Sequence, residues 1–231
     1  MPGWIVPPPK KPIKSNEEFK REREAKVGEL RSQGFLKSER IRKAMLKVPR
    51  EVFIPSGYRD YAYHEVPLPL PGEGSTISCP HSYPLFYEPL GLDKDHKFLE
   101  VGLGSGYGSA IAKEVVGSEG LVVSIDIDPV TFEFAKMNLE NAGYNDIVLV
   151  RSDGGLGYPE LAPYDRISIT AACPDIPPPL IDQLKTGGKL IAPVIREKFQ
   201  ELVLLEKSEE RLDRMVICKV LYVNLRGIFG L

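Results

Sequence analysis

Cysteine is scarce in this sequence, and its placement excludes more than it suggests. Cys79, Cys173 and Cys218 are odd in number and far apart, so neither a disulfide framework nor a zinc knuckle follows, and no metal site is read from them. Long apolar runs are missing as well. No stretch approaches the roughly 20 residues that a membrane helix requires. The start of the chain, with proline at positions 2, 7, 8 and 9, lacks the basic and apolar regions of a signal peptide. Charge of one sign is not in excess: 30 Lys and Arg stand against 32 Asp and Glu, a formal net charge of -2. That balance gives no general electrostatic grip on nucleic acid or an anionic membrane. These absences predict a reducing, cytoplasmic setting, with neither nucleic acid nor membrane as partner.

What is present is ordinary globular material, 42% apolar and 27% charged over 231 residues, enough for one large domain. Residues 1–14 are rich in Pro and Lys, include the lone Trp4, and read as an extended arm. Ser15 with Glu18 has the spacing of a capping box and opens a charged helix to about Gln33. A second helix is expected after Ser38, with Ile41, Ala44, Met45 and Val48 at helical spacing, until Pro49 stops it. From Val52 to His81 the chain is dense in Pro, Gly and aromatics and reads as a long functional loop. Residues 15–97 thus form the N-terminal helices and substrate-side loop, and 98–231 the core of a single compact domain.

Within that core, apolar strands near 98–101, 121–125, 147–150 and 166–169 alternate with helical segments. A helical turn over 179–184 is broken by Gly187 and Gly188, and 189–193 is strand-like. Segments 202–205 and 215–220 read as an antiparallel edge pair. The alternation predicts an α/β fold: a doubly wound, mostly parallel sheet of the Rossmann-like type, with its ligand at the C-terminal strand ends.

The first core strand runs into Leu99-Glu100-Val101-Gly102-Leu103-Gly104-Ser105-Gly106. Strand, glycine turn and helix form a cradle in which backbone amides approach a ligand. The third glycine follows the second by two residues, which departs from the dinucleotide fingerprint. Glu100 would repel a pyrophosphate but suits a sulfonium or an amino group. Asp126, with Ile127, ends the second strand, where a carboxylate accepts ribose hydroxyls. Asp153, with Gly154, follows the third, where an adenine edge would be read. The set favours a cationic nucleoside, S-adenosyl-L-methionine, over a dinucleotide. The competing explanation is structural: Asp126 and Asp128 cap the next helix, and Asp153 opens a turn.

Several segments resemble the protein-L-isoaspartate (D-aspartate) O-methyltransferase family. They are 48–55 (Val-Pro-Arg-Glu-Val-Phe-Ile-Pro), 63–70 (Tyr-His-Glu-Val-Pro-Leu-Pro-Leu), 75–81 (Ser-Thr-Ile-Ser-Cys-Pro-His), the loop from Leu99 to Tyr107, 151–159, 162–166, 170–177 and 222–230. The resemblance implies a carboxyl methyltransferase that uses S-adenosyl-L-methionine. Its acceptors would be isoaspartyl and D-aspartyl residues of damaged, unfolded or aged proteins, repaired through a succinimide. It places Ser78 and Thr76 at the reacting centre. Ile77, Pro80, His81, Tyr222, Val223 and Asn224 would lie on the substrate side. Glu100, Gly102, Gly104, Ser105, Gly106, Asp126, Ile127, Asp153 and Gly154 would hold the cofactor. This chain departs from the family pattern at Ser75, Ser82 and Asn224, all on the substrate side. An RNA or a small molecule is the alternative acceptor on the same fold, and the near-zero charge argues against RNA. The residue types agree with the implied chemistry, because a carboxylate is already nucleophilic at neutral pH and needs no strong base. The competing explanation for Ser78 and Thr76 is a hydroxyl pair that satisfies loop backbone. His81 reads as an orienting or packing residue, Cys79 as no nucleophile, and Cys173 as a small buried apolar residue.

Overall fold

A computed structural model of the chain describes residues 6–231. Trp4 lies outside the described residues. Residues 6–14 have no helix or strand and are held by Asp60, whose carboxylate accepts the amides of Ile13 and Lys14. The first helix, α1 (Asn16–Ser32), starts at the expected capping box: Ser15 Oγ accepts the Glu18 amide, and Glu18 accepts the Ser15 amide in return. It buries Phe19, Val27 and Leu30. Ser38 caps α2 (Glu39–Lys47), which buries Ile41, Ala44 and Met45.

The long loop expected from Val52 to His81 is ordered by short elements. Two 3-10 turns, Arg50–Phe53 and Ser56–Tyr61, lead into a hairpin of β1 (Leu68–Pro69) and β2 (Thr76–Ile77). A helix that sequence periodicity does not announce follows, α3 (Ser82–Leu90). Pro84 and Pro89 disguise it. Pro84 is tolerated because amides in a helix's first turn have no intrahelical acceptor, and Pro89 stands just before the left-handed cap at Gly91.

The core elements are β3 (Lys97–Val101), α4 (Tyr107–Val116), β4 (Leu121–Asp126), α5 (Pro129–Asn141), β5 (Val148–Arg151), β6 (Tyr164–Ile169), α6 (Pro178–Asp182), β7 (Leu184–Ile195), β8 (Gln200–Lys207) and β9 (Leu212–Val220). The strands form one sheet in the order β5-β4-β3-β6-β7-β8-β9. Pairings are parallel from β5 through β7 and antiparallel from β7 to β9. The glycine pair at 187 and 188 does not break β7. It forms a bulge: Tyr164 pairs with Leu184, but Arg166 already pairs with Lys189. A bulge lets the extra residues leave the ladder without ending it.

Side chains alternate across the sheet. Phe98, Val122 and Ile191 pack under α1 to α5, while Leu99, Val123 and Leu190 pack on the opposite face around Leu180 of α6. Strand order reverses at β3, with β4 on one side and β6 on the other. That reversal opens a crevice beyond the C-terminal end of β3, which the 68–77 hairpin and α3 cover. No helix among the described residues is long and apolar enough to cross a membrane.

Candidate active site

The crevice is a continuous cleft of about 1310 Å³. One half is lined by the glycine turn and the ends of β3, β4 and β6. The other is lined by residues 74–79 and the segment after β9.

Alternation on β3 sends Glu100 to the helical face, where it is 2% exposed. Its carboxylate accepts from Ser109 of α4, with Ser124 of β4 at 3.4 Å and the Tyr87 hydroxyl of α3 at 3.5 Å. Burial pushes the carboxyl up to about 7, against the pull of those hydroxyls, and the charge of Asp126 adds to the rise. No Lys, Arg or His pairs with Glu100 among the described residues. A buried acid that faces the cleft with no protein cation paired to it suits a ligand that brings its own positive charge.

The turn after β3 needs its glycines for different reasons. Gly102 has φ +96, and a Cβ there would stand 2.3 Å from Thr170 Oγ1, whose hydroxyl donates to the Gly102 carbonyl at 2.7 Å. Gly104 donates its amide to Asp126 at 3.0 Å. Ser105 lines the cleft, and its carbonyl accepts from Asn138 of α5. Gly106 does not line the cleft. With φ +85 it caps α4, and a Cβ would meet Leu139 of α5 at 2.9 Å. It packs α4 on α5, so the structure does not bring it to the cleft wall with the other residues expected to hold the cofactor.

Asp126 and Ile127 line the cleft as expected. The Asp126 carboxylate accepts the amides of Gly104 and Asp128. Burial nevertheless holds its carboxyl above the ordinary range. Capping of α5 falls to Asp128, which accepts the Val130 and Thr131 amides. Gly154 lines the cleft, but the Asp153 side chain does not. Its oxygens accept the amides of Gly155 (2.9 Å) and Ile228 (2.7 Å). Asp153 opens the turn at Gly154–Leu156 and ties down the C-terminal segment.

On the acceptor side Thr76, Ile77, Ser78, His81, Tyr222, Val223 and Asn224 line the same cleft, whereas Pro80 lies outside its lining. Pro80 falls in the turn closed by the Ser82 amide and the Cys79 carbonyl, so its part is to shape the loop before α3. His81 Nδ1 is 2.7 Å from Glu65 Oε2, and its ring packs on Phe35 at 5.4 Å. Burial works against the Glu65 charge, yet the bonds to His81 and the nearby charges of His81 and Lys26 together outweigh it and lower that carboxyl. Tyr222 is fixed through its backbone, which exchanges two bonds with the Gln200 side chain. Asn224 bridges to Ala172 beside β6. Ser75, another departure from the family pattern, accepts from Thr131 at 2.8 Å. Cys79 is buried, and burial followed by the nearby Glu65 charge pushes its thiol up to about 11, which agrees with no nucleophilic role. Cys173 is fully buried.

Sequence reading missed several residues here. Thr170, Tyr87, Ser109, Ser124 and Arg50 all shape the site. Thr170 had a signal in its place at the end of β6, beside the glycine turn. The others meet the site only through tertiary packing.

The donors present fit S-adenosyl-L-methionine. Buried Glu100 and half-buried Asp126, both with raised pKa, face a turn held at φ +96 at Gly102, a conformation that favours glycine. Comparison with known proteins agrees. The family model for protein-L-isoaspartate (D-aspartate) O-methyltransferase matches residues 21–228. The protein-L-isoaspartate O-methyltransferase of Hyperthermus butylicus is 43% identical over 226 residues, covering 94% of this chain and 93% of its own. That of Methanopyrus kandleri is 47% identical, covering 83% and 85%. A solved protein-L-isoaspartate O-methyltransferase structure superposes with a TM-score of 0.83 at 35% identity, over 90% of this chain and 67% of its own. A Plasmodium falciparum structure in complex with S-adenosyl-L-homocysteine shares the fold, with a TM-score of 0.80 at 21% identity over 88% and 98%. The chain belongs to the protein-L-isoaspartate (D-aspartate) O-methyltransferase family.

Proposed function

We propose that this protein is an S-adenosyl-L-methionine-dependent methyltransferase that esterifies the free carboxylate of isoaspartyl and D-aspartyl residues in damaged or unfolded proteins. The observation that carries the reading is the single cleft that joins Glu100, Gly102, Gly104 and Asp126 to Thr76, Ile77 and Ser78. When bound, the cofactor supplies an electrophilic methyl group. Glu100 and Asp126 hold negative charge where a cationic nucleoside would sit, and backbone amides of the glycine turn approach it. Asp126 keeps lone pairs free for ribose hydroxyls beyond its two amide bonds. Gly154 offers polar backbone from the cleft wall on the adenine side.

The acceptor carboxylate is its own nucleophile, so the loop needs only to orient it. Ser78 donates a hydrogen bond to one carboxylate oxygen, leaving the other aimed at the methyl. Thr76 and Ile77 wall the approach, and His81, held by Glu65, borders it. The largely apolar surroundings exclude water around opposite charges that cancel during transfer. Tyr222, Val223 and Asn224 offer backbone and side-chain surface to the peptide. Succinimide closure of the ester then proceeds without further help from these residues. Three unpaired cysteines are consistent with a reducing, cytoplasmic setting for this work.

The test is label transfer from S-adenosyl-L-methionine to two peptides of identical sequence, one with isoaspartate and one with aspartate. Base-labile label on the isoaspartyl peptide alone is expected. Ser78→Ala should lower turnover about tenfold or more while leaving cofactor affinity unchanged. Cofactor binding without transfer to either peptide would sink the assignment and turn attention to another acceptor.

A further inference from the structure

Arg50 is fully buried and pairs with no carboxylate among the described residues. Its Nε donates to the Ala62 carbonyl at 2.6 Å and its Nη2 to the Ser78 carbonyl at 2.6 Å. The guanidinium carbon lies 5.2 Å from the Tyr107 ring centre and 5.6 Å from that of Tyr83. Those two rings meet edge to face at 4.8 Å.

Burying a cation without a counter-charge is costly, and a neutral side chain would fill this space at less cost. Two aromatic faces and two carbonyls offset part of that cost. What the guanidinium adds is reach. Its planar fork bonds two separate points of the substrate-side loop while its flat face rests on rings. One of those points is the carbonyl of Ser78 itself. One of those rings is Tyr107, the first residue of α4, directly after the glycine turn. A single side chain thus touches the acceptor loop and the cofactor loop.

We propose that Arg50 is a positioning residue for methyl transfer: it fixes the Ser78 backbone against the start of α4, and so sets where the Ser78 hydroxyl stands relative to the cofactor. This rests on the reading of Ser78 given above. In-line transfer tolerates little misplacement, and a shift of about 1 Å can cost on the order of a hundredfold in rate. Lysine keeps the charge and the aliphatic stem but lacks the fork. Methionine keeps the approximate volume alone.

The experiment compares wild type, Arg50→Lys, Arg50→Met, Ser78→Ala and the double variant Arg50→Lys/Ser78→Ala. Folding is checked by circular dichroism, cofactor affinity by calorimetry, and kcat and KM with an isoaspartyl peptide. The expected result is a kcat about 10- to 100-fold lower in the Arg50 variants, with cofactor affinity and peptide KM within about threefold of wild type. In the Ser78→Ala background the Arg50→Lys effect should largely vanish, because residues acting through one contact are not additive. A residue that only supports the fold would lower thermal stability and leave kcat unchanged well below the melting temperature. If Arg50→Met does not fold, Arg50→Lys decides. A slow Ser78→Ala with Arg50 variants at wild-type kcat overturns the Arg50 role alone, as do effects that multiply independently in the double variant. A Ser78→Ala enzyme at wild-type rate overturns the Ser78 reading, and the Arg50 role with it.

Discussion

Replacing Glu100 by glutamine should move stability and cofactor affinity in opposite directions, and both magnitudes follow from burial. The carboxyl titrates near 4.5 in an unfolded chain and is pushed up to about 7 in the fold, chiefly by burial. At 1.36 kcal/mol for each pH unit, ionised Glu100 costs the unliganded fold about 3 kcal/mol. The sign follows from the raised value. Its contribution to stability is complete below the unfolded midpoint of 4.5 and is lost as pH rises through about 7. Glutamine is isosteric, and the hydroxyls of Ser109, Ser124 and Tyr87 can serve an amide. Unliganded Glu100→Gln should therefore melt higher than wild type near about pH 8, by about 2–4 °C for each kcal/mol regained, with the difference fading toward about pH 5. Binding should go the other way. A lost charge-assisted hydrogen bond of about 1.5–3 kcal/mol weakens cofactor affinity about 10- to 100-fold. Wild-type affinity should itself fall as pH drops below about 7, whereas that of the variant stays flat. Calorimetric titration and thermal unfolding across this pH range measure both effects. Comparing S-adenosyl-L-methionine with S-adenosyl-L-homocysteine shows which cation Glu100 meets: an equal loss for both points to the amino group, and a selective loss to the sulfonium. A glutamine variant that binds S-adenosyl-L-methionine as tightly as wild type near about pH 8 refutes the reasoning.

Other outcomes follow from single contacts. Gly102→Ala places a Cβ 2.3 Å from Thr170 Oγ1 at a φ of +96, so cofactor binding should be lost while far-ultraviolet circular dichroism stays native. Restoration of binding by adding Thr170→Ala would show how much of the defect is this contact and how much is backbone strain. Asp60→Ala removes the acceptor of the Ile13 and Lys14 amides and the partner of Lys10 at 3.3 Å. Stability should drop by about 1–3 kcal/mol, and limited proteolysis should cut first in the N-terminal arm. Burial works against the Asp60 charge, but the two amides and Lys10 together outweigh it and hold the carboxyl below its ordinary value. The wild-type advantage should therefore be present above pH 3.8 and fade as pH falls through the folded midpoint.

The sequence alone determined most elements of this fold, because local physics sets them. The capping box at Ser15 and Glu18, the caps at Ser38 and Asp128, and the apolar runs of β3, β4 and β6 each announce themselves within a few residues. So does the cofactor turn, since a strand, spaced glycines and a following acid form a local pattern. Helix α3 was illegible because its prolines contradict helix propensity, although each sits at a tolerated position. The run through Gly187 and Gly188 misleads for a related reason: a glycine pair marks a break in isolation, but pairing with β6 on either side of it, at Leu184 and Lys189, holds it as a bulge.

Only the tertiary structure decided what the acids do. Asp126 and Asp153 look alike in sequence, each following a core strand. Yet the C-terminal segment returns to occupy Asp153, while Asp126 stays open to the cleft. Gly106 likewise packs against Leu139 of α5 and stands off the cleft wall, a contact that no local pattern announces. Arg50, distant in sequence from Ser78 and from Tyr107, acquires its place only when α3 and α4 close around it. Short-range pattern fixes conformation, whereas the partner of a buried charge depends on which distant segment folds over it.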